Sequence, residues 1–248
     1  MHHCLNCGTD FSGKYCPNCG QKSDVGRITV KALFGEFFHL LTHIEKTFFK
    51  TTLDFIIRPG RTSLNYLEGK RQRYQRPVSY FLIWTGVFIL FHNLIINWRD
   101  YELILNDTGQ TSLQTQANVL LREHFEIFSL PILLASAIIT WIVLARPKIY
   151  FIEVFTLVLY GGGTYFFLNL LSDVILGVIL KININQYAVF LWQTLLSGFY
   201  NIWFTYDFFS RAKIKFFLPR MILAAFLISL SGKLIMDYAP MLWMYLTK

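Results

Sequence analysis

Apolar stretches as long as a bilayer is thick recur along this chain, and they restrict its fold more than any motif does. A hydrocarbon core of roughly 30 Å takes about 20 helical residues at 1.5 Å each. Residues 78–97, 124–145, 149–171, 188–208 and 216–236 each reach that length. Lipid offers no partner to backbone N–H and C=O groups, so such runs fold as helices. Composition agrees, with 54% hydrophobic and 15% charged residues, where a soluble domain carries roughly a quarter charged residues. The expected class is an all-α membrane protein of five transmembrane helices. Residues 176–180 prolong the third run along the outer interface, and reading 149–180 as more than one span would give six and move the C-terminus inside.

All four cysteines fall near the N-terminus, as Cys4-x2-Cys7-x8-Cys16-x2-Cys19. Two residues between thiolates bring both sulfurs to one ion, and Gly8 and Gly20 after each pair permit the turn. Four thiolates form a closed tetrahedral shell with no position for a substrate water, which reads as a structural zinc ribbon over residues 1–22. Iron and a pair of disulfides are the alternatives. No apolar leader precedes the ribbon, so it is expected in the cytosol. Some twenty residues build little core, so metal must supply most of the module's folding energy. Lys14 and Lys22 are its only basic residues, and nucleic acid is not an expected partner.

Residues 23–76 are expected to form cytosolic and interfacial helices. In the stretch 29–57, Phe34, Phe37, Leu41, Ile44, Phe48 and Phe55 recur at helical spacing opposite Glu36, His39, His43, Lys46, Lys50 and Asp54. Such a helix lies in the membrane interface or against a bundle. Glu36, His39 and His43 share one face, which is more simply a wet face than a second metal site. Arg58-Pro59-Gly60 ends the helix, and Thr62 or Ser63 is placed to cap a short helix reaching Glu68. Arg58, Arg61, Lys70, Arg71, Arg73 and Arg76 then form a basic segment before the first run. It anchors topology by the positive-inside rule, and its sharper reading is a site for anionic lipid headgroups.

The ribbon, the following KSDVGRIT, the segment RPGRTSLNYLEGKRQRYQRP and the helical remainder together resemble an uncharacterised family of bacterial membrane proteins built on a domain of unknown function. The resemblance implies a polytopic protein of the bacterial inner membrane with a cytosolic ribbon. It implies no activity and no catalytic residues. The basic turns Arg146-Pro147-Lys148 and Arg211-Ala212-Lys213-Ile214-Lys215 would face the same side as the ribbon, leaving the C-terminus outside.

Within the runs, Glu153, Asp207 and Arg220 fall at a similar depth near the cytosolic face. An Arg220 pair with Asp207 or Glu153 would bind helices together, or serve as a relay. Gly161-Gly162-Gly163 suits close helix packing, with a hinge as the alternative. Nucleophile-elbow, phosphate-loop, dinucleotide and zinc-protease motifs are missing from the sequence. The expected function is a non-catalytic membrane adaptor or scaffold that recruits a cytosolic partner or organises anionic lipid. A small transporter or channel using the three intramembrane charges is the alternative, and a lipid-modifying enzyme is a third. Ligand, partner identity and oligomeric state are not legible in the chain.

Overall fold

The computed structural model describes residues 1–30, 47–95, 120, 125–181, 187–211 and 216–246. Two short strands, β1 (His2–His3) and β2 (Asp10–Phe11), pair antiparallel within the ribbon. The helices that follow are α1 (Thr47–Ile57), α2 (Pro59–Leu67), α3 (Pro77–Ile95), α4 (Phe125–Thr140), α5 (Phe151–Asp173), α6 (Tyr187–Arg211) and α7 (Phe217–Leu246). Both α4 and α5 run on into a π-helical turn, Trp141–Ala145 and Val174–Ile179. The expected stretch holding Glu36, His39 and His43 lies outside the described residues, as do most of the loop after α3 and residues 212–215.

Among the described residues three helices are long and apolar enough to cross a membrane: Ile127–Ala145, Phe151–Ile179 and Phe217–Leu246. The first expected run gives a shorter apolar helix, Pro77–Phe91. Helix α6 interrupts its apolar character with Gln193, Asn201 and Asp207. Two expected ends move outward. The third run continues as one helix to Ile179, and α7 passes through Asp237 and Pro240 to Leu246 rather than stopping at Met236. A continuous helix satisfies its own backbone groups, which sequence hydropathy alone does not weigh.

Helix α5 lies at the centre, packed against α1, α3, α4 and α6. Its three consecutive glycines open the helix surface in three directions. A Cβ on Gly161 would stand 3.0 Å from Phe204 of α6, one on Gly162 3.0 Å from Leu133 of α4, and one on Gly163 2.7 Å from Tyr80 of α3. The helix is unbroken there, so these residues serve packing, as small residues do between helices in a bilayer.

Helix α1 is inserted into the bundle. Phe55 is fully buried and stacks on Tyr160 with ring centroids 4.3 Å apart, while Phe48 stacks on Trp84 at 5.1 Å. Threonines make this burial affordable in polar terms. Trp84 Nε1 donates to Thr52 Oγ1 at 3.0 Å and the Gln75 amide to Thr51 Oγ1 at 2.8 Å, while the Tyr160 hydroxyl donates to the Gln75 carbonyl. The expected apolar positions Phe48 and Phe55 do point inward. Phe49, Leu53 and Ile57, spaced four apart, form an exposed apolar stripe beside the exposed Lys50.

Helix α2 corrects the expected cap. It begins at Pro59, not at Thr62 or Ser63, because proline fixes a helical φ and lacks the N–H that a first helical position leaves unused. Ser63 lies inside, its hydroxyl donating to the Pro59 carbonyl at 2.7 Å.

Candidate functional site

The cysteine pairs sit on two matching knuckles. Gly8 N donates to Cys4 O at 2.8 Å and Gly20 N to Cys16 O at 2.9 Å. Cys4 N donates to Thr9 O at 3.0 Å and Cys16 N to Gln21 O at 2.8 Å. Both glycines take left-handed φ values, +79° and +73°, which other residues adopt at a cost. All four Sγ atoms lie within 4.8 Å of one another, with Cys4 to Cys19 at 3.5 Å and Cys7 to Cys16 at 3.6 Å. Four thiolates on a tetrahedron with bonds of about 2.3 Å stand roughly 3.8 Å apart, whereas a disulfide requires about 2.05 Å. The cysteines are free, and their arrangement fits one tetrahedral metal ion.

The thiols are unequal. The hydroxyl and backbone of Thr9 lower Cys7 to about 6, while burial raises Cys19 to about 11. One sulfur is therefore ready as thiolate near neutral pH, and another must surrender a proton to bind. A metal ion held by all four sulfurs would have its shell closed, with no place to polarise a substrate.

The ribbon is seated on the bundle. Gly69, at φ +103°, makes room for Leu5, whose Cδ1 would lie 2.8 Å from a Cβ at that position. The Gln72 amide donates to Gln21 Oε1 at 3.3 Å, and Arg71 Nη2 donates to the Gly26 carbonyl at 2.8 Å. Arg27 lies 3.7 Å from Glu153 Oε1 and its guanidinium stands 4.3 Å over the Tyr150 ring.

Of the six basic residues expected at a headgroup site, Arg58, Arg61, Arg73 and Arg76 are exposed and Arg71 is half-buried against the ribbon tail. Lys70 turns instead to Asn65 at 2.8 Å and Glu68 at 3.6 Å. Together they form a basic collar, of which Arg71 and Arg76 line a common cleft.

The structure gives the intramembrane charges other partners than those expected. Glu153 accepts from the Tyr150 amide at 3.0 Å, closing the start of α5, and faces Arg27. Asp207 Oδ2 accepts from the Gly60 amide at 2.7 Å, a carboxylate at the positive end of α2. Arg220 is exposed and makes no ion pair among the described residues. Each carboxylate accepts from a backbone N–H at the start of a helix, Glu153 at α5 and Asp207 at α2.

These contacts bring the ribbon tail, the loop after α2, the start of α5 and the end of α6 to one end of the bundle. Sequence reasoning missed Gln21, Arg27 and Gly69 as the docking residues. Gly69 could be read as a helix stop, but nothing local tells which side chain fills the space it leaves.

One family model matches the chain, described as Protein of unknown function (DUF3667), over residues 45–89. The matched stretch runs from before α1 into α3 and takes in the Arg58-Pro59-Gly60 turn and the basic collar, while the cysteines lie outside it. No curated protein and no solved structure matches.

Proposed function

We propose that this chain is a non-catalytic membrane adaptor or scaffold of the bacterial inner membrane, with zinc in its ribbon, five transmembrane helices, a cytosolic N-terminus and an outer C-terminus. Zinc suits the all-thiolate shell because it needs no particular geometry and undergoes no redox change. The observation that carries the reading is the seating of the ribbon on the bundle by Leu5, Gln21, Gly26 and Arg27. A module mounted in one orientation presents the same face to every partner, which a tethered module does not.

The exposed arginines of the collar share the ribbon's end of the molecule. Basic residues there attract anionic headgroups by about 1 kcal/mol each near a membrane surface, and they favour the cytosolic side. In this reading Arg58, Arg61, Lys70, Arg71, Arg73 and Arg76 hold that end against the lipid while the ribbon recruits a cytosolic protein.

The test is quantitative crosslinking and co-purification from native membranes, comparing the intact chain with one lacking residues 1–22. A specific partner lost only from the truncated chain supports recruitment. The same partners from both, or none from either, would end the adaptor reading and move attention to the bundle. The transport alternative, resting on Glu153, Asp207 and Arg220, is judged separately: Glu153→Gln and Asp207→Asn would abolish flux at normal abundance if the charges carry a path.

A further inference from the structure

A cleft of about 450 Å³ opens between the ribbon tail and the loop joining α2 to α3. Lys22, Arg27, Arg71 and Arg76 line it against a single carboxylate, Asp24, and the rings of the buried Tyr66 and Tyr74 contribute to its wall. Arg27 is paired with Glu153, and Lys22, Arg71 and Arg76 against Asp24 still leave the wall a surplus of positive charge.

Two buried donors in the same wall lack acceptors. Gln21 is 4% exposed. Its Oε1 takes the Gln72 amide, while its Nε2 is buried with no partner. Arg71 gives Nη2 to the Gly26 carbonyl, and its Nε is likewise buried and unpaired. Folded proteins leave few such groups, and each asks for a missing partner. Both are donors, so the missing partner is an acceptor, and the surrounding cations specify that it is an anion.

We propose that this cleft binds a phosphate-bearing anion, with Gln21 Nε2 and Arg71 Nε donating to its oxygens and Lys22, Arg27 and Arg76 supplying charge. A tetrahedral phosphate offers several acceptor oxygens in a compact group, and the volume leaves room for an organic substituent beside the tyrosines. The collar attracts any anionic surface; the cleft selects one group. This site goes beyond the adaptor reading, and the crosslinking experiment can fail without touching it.

The experiment uses the full metal-loaded chain in nanodiscs. In phosphatidylcholine discs, inorganic phosphate and glycerol phosphate are titrated by calorimetry. In discs containing phosphatidylglycerol, lipid retention is read by native mass spectrometry. Saturable binding of a probe is expected, weakened about tenfold or more by Gln21→Glu and by Arg76→Gln but not by Lys14→Gln, at an exposed cation outside both cleft and collar. Gln21→Glu keeps the acceptor for Gln72 while replacing the orphan donor with negative charge. Arg76→Gln carries the test if the first variant loses metal. Binding of the soluble probes assigns a free phosphate compound, and selective retention of phosphatidylglycerol alone assigns a lipid headgroup; either supports the site. No saturable binding of any probe, or equal loss in all three variants, overturns it.

Discussion

At Gly60 a missing side chain lets α2 reach α6. A Cβ there would stand 2.3 Å from the Asp207 carbonyl carbon and 2.4 Å from the Phe208 nitrogen, both backbone atoms with little freedom to give way. Gly60→Ala is expected to lower stability by about 3 kcal/mol in detergent unfolding, whereas Gly86→Ala, which meets nothing within 4 Å, should leave it level or raise it slightly. Equal effects would contradict the packing described. The turn at Arg58-Pro59-Gly60 was legible from proline and glycine alone, but the reason for the glycine was not, since its partner lies 147 residues away. The cysteines were legible because spacing itself defines their chemistry. Their unequal acidities set a pH dependence. With Cys7 at about 6 and Cys19 at about 11, protons compete for sulfur more strongly as pH falls, so metal affinity rises with pH across that window. Calorimetric zinc titrations at pH 7, in buffers of differing ionisation enthalpy, should show net proton release; its absence would contradict the raised Cys19.

At the scale of elements, the long apolar runs became helices wherever the structure describes them, because in lipid hydropathy and backbone satisfaction demand the same thing. Their ends were less legible: nothing in hydropathy marks that α7 passes Pro240. Helix α1 shows the other limit. Periodicity found Phe48 and Phe55, yet could not distinguish an interfacial helix from one drawn into the bundle. The difference lies in Thr51 and Thr52, whose hydroxyls accept from Gln75 and Trp84. Thr52→Val preserves shape and removes the acceptor for the Trp84 indole, so it should cost about 1–3 kcal/mol by leaving a buried donor unpaired. Thr47→Val at the start of the helix, where the hydroxyl meets Gln75 at a longer 3.4 Å, should cost less. A Thr52 variant as stable as the parent would place α1 outside the core.

For the whole molecule, ribbon, collar and bundle meet at one end through Arg27–Glu153, Arg71–Gly26 and Gly60–Asp207. No local signal encodes those pairings, which join segments far apart in sequence. They imply that losing a metal held by the cysteines would be felt beyond them, since Gln21 is held both to Cys16 and to Gln72. The most direct test is hydrogen–deuterium exchange of the nanodisc-embedded chain before and after chelation. Faster exchange in residues 1–27 and also in the covered loop 68–76, with the centre of α5 unchanged, is the result expected if the metal-held ribbon and the bundle end form one unit. Faster exchange confined to residues 1–27, with the loop indifferent to metal, would contradict it.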